Sequence, residues 1–241
     1  MANSYFQFKQ FLVHQELCAM KVCTDSCLFG AVVANIHKGI PLVVLDIGTG
    51  SGLLSLMLAQ QLPTAKIDAV ELDEQAFQQS QINFFNSSFS AQLASHHIAI
   101  QDYGVNKTPS YDLIICNPPF FTNHLKADRP SKNQAKHNDS LSPLDLAGAV
   151  VALVRNSGIF WVLLPVSESE YFIEKMFEKG LYIHSKYEIF DTPNTTAFRW
   201  IMSFSREKNT NYSRHQICIK REDKTYSEEF VQLLKPYYLN L

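Results

Sequence analysis

Leu42-Val43-Val44-Leu45-Asp46-Ile47-Gly48-Thr49-Gly50-Ser51-Gly52-Leu53 decides how this chain folds. Its first half is a continuous apolar run ending in an acid, the pattern of a strand buried on both faces of a parallel sheet. Its second half is a glycine turn. From Leu53 the apolar spacing becomes helical and stops before Pro63. Strand, glycine turn and helix start together form the crevice in which α/β folds hold nucleotide-like ligands.

Outward from this centre, Lys66-Ile67-Asp68-Ala69-Val70-Glu71 reads as a second strand, and Asp73 as the cap of a helix reaching about residue 86. Strands are expected over 97–100, 112–116 and 159–164, and helices over 144–155 and 168–178. Two closing strands, 182–190 and 197–204, meet through the turn-rich Asp191-Thr192-Pro193-Asn194. Alternating strands and helices with short links predict a doubly wound, mostly parallel, seven-stranded Rossmann-like α/β sheet with an antiparallel C-terminal edge hairpin. Residues 1–40 are expected to form a helical N-terminal extension or cap on a body spanning 41–241, one domain overall.

Of the 241 residues, 46% are hydrophobic and 18% charged, a balance that excludes global disorder. No apolar run approaches the roughly 20 residues needed to cross a bilayer. The start, Met1-Ala2-Asn3-Ser4-Tyr5-Phe6, lacks the basic and apolar regions of a secretory signal, so a cytoplasmic protein without a membrane partner is expected. Cys18, Cys23 and Cys27 cluster, but without a C-x-x-C knuckle or a following histidine at ligand spacing; free thiols and no metal are expected. The net charge of −2 is not that of a general nucleic-acid binder, so any RNA contact falls to local basic patches. The oligomeric state is open, with a monomer favoured.

The glycine loop reads D-x-G-x-G-x-G from Asp46 through Gly48 and Gly50 to Gly52. A dinucleotide site would read G-x-G-x-x-G and seat a pyrophosphate on the helix N-terminus. An acid two residues before the first glycine repels a pyrophosphate and suits a ligand carrying an ammonium and a sulfonium. That ligand is S-adenosylmethionine, and the loop resembles motif I of the class I methyltransferases. Glu71, with Leu72 beside it, ends the second strand where a carboxylate can accept from both ribose hydroxyls. Asp102 follows the expected third strand, where class I enzymes often hold the adenine amino group.

Leu113-Ile114-Ile115-Cys116-Asn117-Pro118-Pro119-Phe120 then places N-P-P-F at the end of the fourth core strand. Pro118 and Pro119 have no backbone N–H, which leaves nearby carbonyls as outward acceptors. The Asn117 side-chain oxygen and the Pro118 carbonyl can both accept from one NH₂ group, drawing its nitrogen toward tetrahedral geometry and localising its lone pair. Catalysis would then come from positioning and fixed dipoles, with no strong base and no metal. Phe120 offers a flat face for a purine or an amide. The motif marks amino methyltransferases broadly, whether on adenine N6 in DNA or RNA, guanine N2 in ribosomal RNA, or glutamine N5 in release factors. A cofactor-binding RNA module without activity is a further reading.

With both motifs in hand, the chain resembles the tRNA1(Val) adenine-37 N6-methyltransferases over nearly its full length. The match runs through Phe8-Lys9-Gln10-Phe11, Cys18-Ala19-Met20-Lys21-Val22-Cys23-Thr24-Asp25, the glycine loop, Ile67 to Leu72, Asn117-Pro118-Pro119-Phe120-Phe121 and Tyr226-Ser227-Glu228. The resemblance implies an S-adenosylmethionine-dependent enzyme acting on adenine N6 of a tRNA. It also implies that Lys21, Thr24 and Asp25 close over the methionine end of the cofactor or the pocket mouth. Cys23 stands where this family is expected to carry glycine.

For RNA contact, the stretch 122–140 offers Lys126, Arg129, Lys132 and Lys136 with His124 and His137, against Asp128 and Asp139. The C-terminal third adds Arg199, Arg206, Lys208, Arg214, His215, Lys220, Arg221 and Lys224, interleaved with Tyr212 and Tyr226.

Overall fold

The computed structural model describes residues 3–105, 107–119, 141–208 and 211–241. Among them, a short antiparallel hairpin, β1 (Tyr5–Gln7) and β2 (Leu12–His14), precedes the first helix, α1 (Thr24–Ile36). The N-terminal segment is thus a hairpin followed by a helix, where only a helical cap was expected. Phe8 and Phe11 stack at 4.5 Å in the hairpin turn and are buried against Tyr238 and Phe89, and the Lys9 N–H donates to the Tyr237 carbonyl there (2.7 Å).

The main sheet holds β3 (Val43–Ile47), β4 (Lys66–Glu71), β5 (Leu93–His97), β6 (Tyr111–Cys116), β7 (Val154–Pro165), β8 (Tyr182–Phe190), β9 (Arg199–Ser205) and β10 (Ser213–Cys218). Their spatial order is β10-β8-β9-β7-β6-β3-β4-β5. Every neighbouring pair is parallel except the two that β9 makes, with β7 and with β8. The expected antiparallel hairpin is therefore present as β8 and β9, but β9 inserts beside β7 and an eighth strand, β10, takes the edge.

Alternation along each strand divides the core into two layers. Val44, Leu113, Ile115, Trp161 and Leu163 face α1, α2 (Leu53–Gln61) and α7 (Glu228–Leu234). Leu45, Ile114, Cys116, Phe160 and Val162 face α4 (Ile100–Tyr103), α5 (Pro143–Leu153) and α6 (Val166–Glu178). A further helix, α3 (Glu74–Phe85), is capped by Asp73, whose carboxylate accepts from the Ala76 N–H at 2.8 Å.

The third core strand is displaced from its expected position. It runs over Leu93–His97, and the expected 97–100 stretch instead leads into α4, because Ile100 and Tyr103 bury one helical face against the second layer. Among the described residues, no helix is long and apolar enough to cross a membrane.

Candidate active site

The carboxyl ends of β3, β4 and β6 open onto a cavity of about 520 Å³. Its floor is the start of the glycine turn, Gly48 to Ser51; Gly48, Gly50 and the following Gly52 are all in the left-handed region (φ 68°, 57° and 83°). Gly52 also lies so close to α3 that a methyl group on it would overlap the Phe84 ring. Gly48 and Thr49 donate backbone N–H groups to the Val70 carbonyl (2.9 and 3.2 Å), which lashes the turn to β4.

Glu71 holds the same turn from its side chain. Gly50 donates its N–H to Glu71 Oε2 at 2.8 Å, while Leu72 and Asp73 donate theirs to Oε1 at 2.9 and 3.0 Å. A carboxylate has about four acceptor positions, so Oε1 is filled and Oε2 keeps one. Three backbone N–H groups thus share the carboxylate expected to meet the ribose hydroxyls.

Asp46 lies beneath the turn and not in the cavity. It is fully buried, and its Oδ2 accepts from the hydroxyls of Thr49 (2.6 Å) and Ser55 (2.7 Å), while Oδ1 has no partner among the described residues. Burial pushes its carboxyl up to about 6, with the nearby Glu71 charge adding to the effect and the two hydroxyls opposing it. Its visible work is to knot the turn to α2.

Asn117 sits where β6 ends, at the cavity wall beside Pro119. Its side-chain amide donates to the Ser26 hydroxyl at 2.9 Å and approaches the Met20 sulfur at 3.8 Å. With the NH₂ end tethered, the carbonyl end has no side-chain bond among the described residues. Ser26, buried on the first turn of α1, is contacted in turn by the Cys23 thiol at 3.0 Å. Sequence reasoning missed Ser26, since a serine between Asp25 and Cys27 carries no pattern of its own.

The segment between β2 and α1 roofs the cavity, with Glu16, Leu17, Met20 and Lys21 lining it. Its position follows from Asn83 of α3, which accepts from the His14 N–H (3.0 Å) and donates to the carbonyls of His14 and Ser51 (2.8 Å each). Gln79 accepts from the Leu17 N–H at 3.2 Å. Roof and glycine turn are thus pinned to one helix. The Lys21 ammonium donates to the carbonyls of Gln15 and Cys18 (the latter at 3.0 Å), so its charge is engaged within the roof.

Of the residues singled out in the sequence, the structure gathers Lys21, Gly48, Gly50, Glu71, Asn117 and Pro119 around this cavity. Pro118 is buried behind them. Gly52 packs on Phe84, Leu72 is half exposed with its N–H bonded to Glu71 and its carbonyl 3.0 Å from the His97 ring Nε2, and Asp102 is exposed on α4; none of the three lines the cavity. Thr24 and Asp25 face a second cleft, where Asp25 pairs with Arg199 at 3.1 Å. Arg214 is exposed on β10 with its guanidinium 4.7 Å from the Tyr212 ring centre. Phe120, Lys126, Arg129, Lys132 and Lys136 lie outside the described residues.

The cavity suits the cofactor inferred from the sequence on two grounds. Its size falls in the range of about 300–1,000 Å³ usual for small-ligand sites. Its charged lining is Glu16, Glu71 and Asp73 against a Lys21 already engaged, a donor set that favours a ligand bearing positive charge.

Residues 28–160 match the family described as methyltransferase small domain. A tRNA1(Val) (adenine(37)-N6)-methyltransferase from Cytophaga hutchinsonii is 42% identical over 242 residues, covering 100% of both chains. Another protein of that name, from Pseudoalteromonas translucida, is 39% identical and covers 99% of this chain and 100% of its own. Among solved structures, a predicted O-methyltransferase from Agrobacterium tumefaciens superposes with a TM-score of 0.67 over 90% of this chain and 100% of its own, at 13% identity. A ribosomal protein L11 methylase from Lactobacillus delbrueckii gives 0.56 over 81% and 84%, at 17% identity. At those identities the two structures speak for the fold alone.

Proposed function

Because the chain belongs to the tRNA1(Val) (adenine(37)-N6)-methyltransferases, within the methyltransferase small domain family, we propose that it methylates the exocyclic N6 of an adenine in tRNA, at position 37 of tRNA1(Val). S-adenosylmethionine, bound in the cavity at the carboxyl ends of β3, β4 and β6, supplies the activated methyl group. The chain's own residues hold, orient and dehydrate the partners.

One observation carries this reading: the Asn117 amide is tethered by Ser26 through its NH₂ end, at the wall of an acid-lined cavity. Asn117 Oδ1 then accepts one hydrogen of the adenine amino group and the Pro118 carbonyl accepts the other. Pro119, with no N–H of its own, offers no competing donor at that wall. Two acceptors on one NH₂ favour a pyramidal nitrogen with its lone pair directed outward, so positioning supplies the rate. Glu71 fixes the Gly50 turn and retains one acceptor for a ribose hydroxyl. The base has to leave its stack to reach Asn117, and Phe120 is proposed as its stacking face.

The experiment is methyl transfer from labelled S-adenosylmethionine into tRNA lacking the modification, followed by digestion to nucleosides. Label in N6-methyladenosine supports the assignment. Label in N2-methylguanosine, or in release-factor glutamine and not in tRNA, would redirect it to the other amino acceptors that N-P-P-F serves.

A further inference from the structure

We propose that the second cleft, at the first turn of α1, is a subsite for one unpaired nucleobase adjacent in the strand to the methylated adenine. The proposal rests on the tRNA reading above and adds to it a place, a ligand class and the residues that make it.

Position comes first. The cleft, of about 340 Å³, is lined by Thr24, Asp25, Asp191, Phe198, Lys220 and Tyr226 among others. Asp191 follows the end of β8, Lys220 lies just beyond β10, and Phe198 precedes β9, which runs the opposite way. All three therefore stand at the same edge of the sheet as Asn117 at the end of β6, the edge where doubly wound folds bind ligands. The two hollows also adjoin. Ser26 lines the first and Thr24 and Asp25 the second, on one helical turn with a rise of about 1.5 Å per residue. A strand that delivers one base to Asn117 passes the second cleft with its next nucleotide.

The chemistry of the lining selects a base over a phosphate. Its charges are already paired: Asp25 with Arg199 at 3.1 Å and Asp191 with Lys220 at 3.0 Å. A phosphate would meet two carboxylates there. A neutral base instead meets flat apolar faces and a polar rim. Phe198 and Tyr226 are 36% and 45% exposed, large for aromatic side chains that line a concave surface. Tyr226 is braced from behind by Phe230, stacked at 4.7 Å, and its backbone bridges to Lys220. A rigid, supported ring is what a stacking platform requires, and every base has a face to offer it. The half-exposed Asp191 carboxylate at the rim accepts from an exocyclic amino group or a ring N–H.

A direct chain of bonds links the subsite to the reacting centre. Arg199 donates to Asp25 Oδ2, Asp25 Oδ1 accepts from the Ser26 N–H at 3.1 Å, and the Ser26 hydroxyl accepts from Asn117. A base seated against Thr24 and Asp25 thus lies one residue from the group that orients Asn117.

The test pairs two perturbations. Wild-type protein and the Phe198→Ala/Tyr226→Ala variant are assayed on intact tRNA and on tRNAs abasic at the nucleotide 5′ or 3′ of the target adenine. The expected result is a KM for tRNA raised roughly ten-fold in the variant, with the Kd for S-adenosylmethionine unchanged. One of the two abasic tRNAs should cost the wild type a similar factor and cost the variant nothing further, the non-additivity of a direct contact. Phe198→Tyr/Tyr226→Phe, which keeps both faces, should retain the wild-type KM. Independent, multiplying penalties would overturn the subsite, and so would full activity of the wild type on both abasic tRNAs, a result that needs no variant to fold. A wild type that forms no N6-methyladenosine in intact tRNA would overturn the underlying reading and the subsite with it.

Discussion

The Asn117 side-chain amide donates to the Ser26 hydroxyl at 2.9 Å, a bond between the end of β6 and the first turn of α1. It joins a residue that the N-P-P-F motif announces to one that no motif announces. Because an amide has one donor end and one acceptor end, fixing the first aims the second.

Ser26→Ala should therefore lower kcat about ten-fold while leaving the affinity for S-adenosylmethionine within a factor of two or three, since a loosened orienting bond is worth about 1–1.5 kcal/mol. Single-turnover methyl transfer alongside calorimetric cofactor titration separates the two. An equal loss in both would mean that Ser26 shapes the cavity and does not aim the amide.

Glu71→Gln replaces an acceptor-only group with one that brings its own donors to the Gly50, Leu72 and Asp73 N–H groups. Charge-assisted bonds of this kind are each worth about 1.5–3 kcal/mol. Affinity for S-adenosylmethionine should fall at least ten-fold, measured by calorimetry, and the melting temperature should drop as the turn loosens. Unchanged affinity would remove Glu71 from the cofactor site.

Gly52→Ala should destabilise the fold by about 2–3 kcal/mol, through strain at φ 83° and overlap with the Phe84 ring. In urea unfolding, Gly52→Ala combined with Phe84→Leu should recover the overlap part and keep the backbone part of about 1 kcal/mol. A double variant no better than the sum of its parts would show that Phe84 is not the obstacle.

Two buried groups give stability opposite dependences on pH. Burial lowers His37 from 6.5 to about 4, and its Nε2 accepts from the Trp161 indole N–H at 3.0 Å, which requires the neutral ring. Between those values the unfolded chain binds the extra proton, so stability from His37 is complete above 6.5 and falls by roughly 3 kcal/mol as pH drops to 4. Asp46, raised from 3.8 to about 6, keeps its proton in the folded state over that interval, so its contribution is lost as pH rises. The two nearly cancel between about 4 and 6. Urea melts should show Asp46→Asn losing stability on acidification and His37→Gln, which keeps an acceptor, gaining it relative to wild type. Parallel profiles for all three proteins would contradict this assignment.

How much of this was legible in the sequence depended on burial. The central strands β3, β4, β6 and β7 are covered on both faces and read as apolar runs, so their existence and order were plain. Both edge strands were missed or misplaced for one reason. Leu93-Ala94-Ser95-His96-His97 and Ser213-Arg214-His215-Gln216-Ile217-Cys218 are largely polar, as exposed sheet edges tend to be, and present no periodic signal. The displacement of β5 moved Asp102 from a strand end onto an exposed helix. The site divides in the same way. Gly48, Gly50, Glu71 and Asn117 belong to local motifs with fixed spacing and lie around the cavity. Ser26, Gln79 and Asn83 act across 91, 62 and 69 positions of chain, separations over which one sequence carries no pattern. The family resemblance set Asp25 with Lys21 at the cofactor's methionine end or the pocket mouth, whereas its ion pair with Arg199 faces the neighbouring cleft.

In the proposed reaction the Asn117 side chain holds the adenine amino group for transfer, and Asn117→Ala removes that acceptor. Turnover with unmodified tRNA1(Val), followed as N6-methyladenosine at position 37, should fall at least 100-fold, while affinities for S-adenosylmethionine and tRNA stay near wild type. A variant that still methylates adenine within a few-fold of wild type would contradict the account.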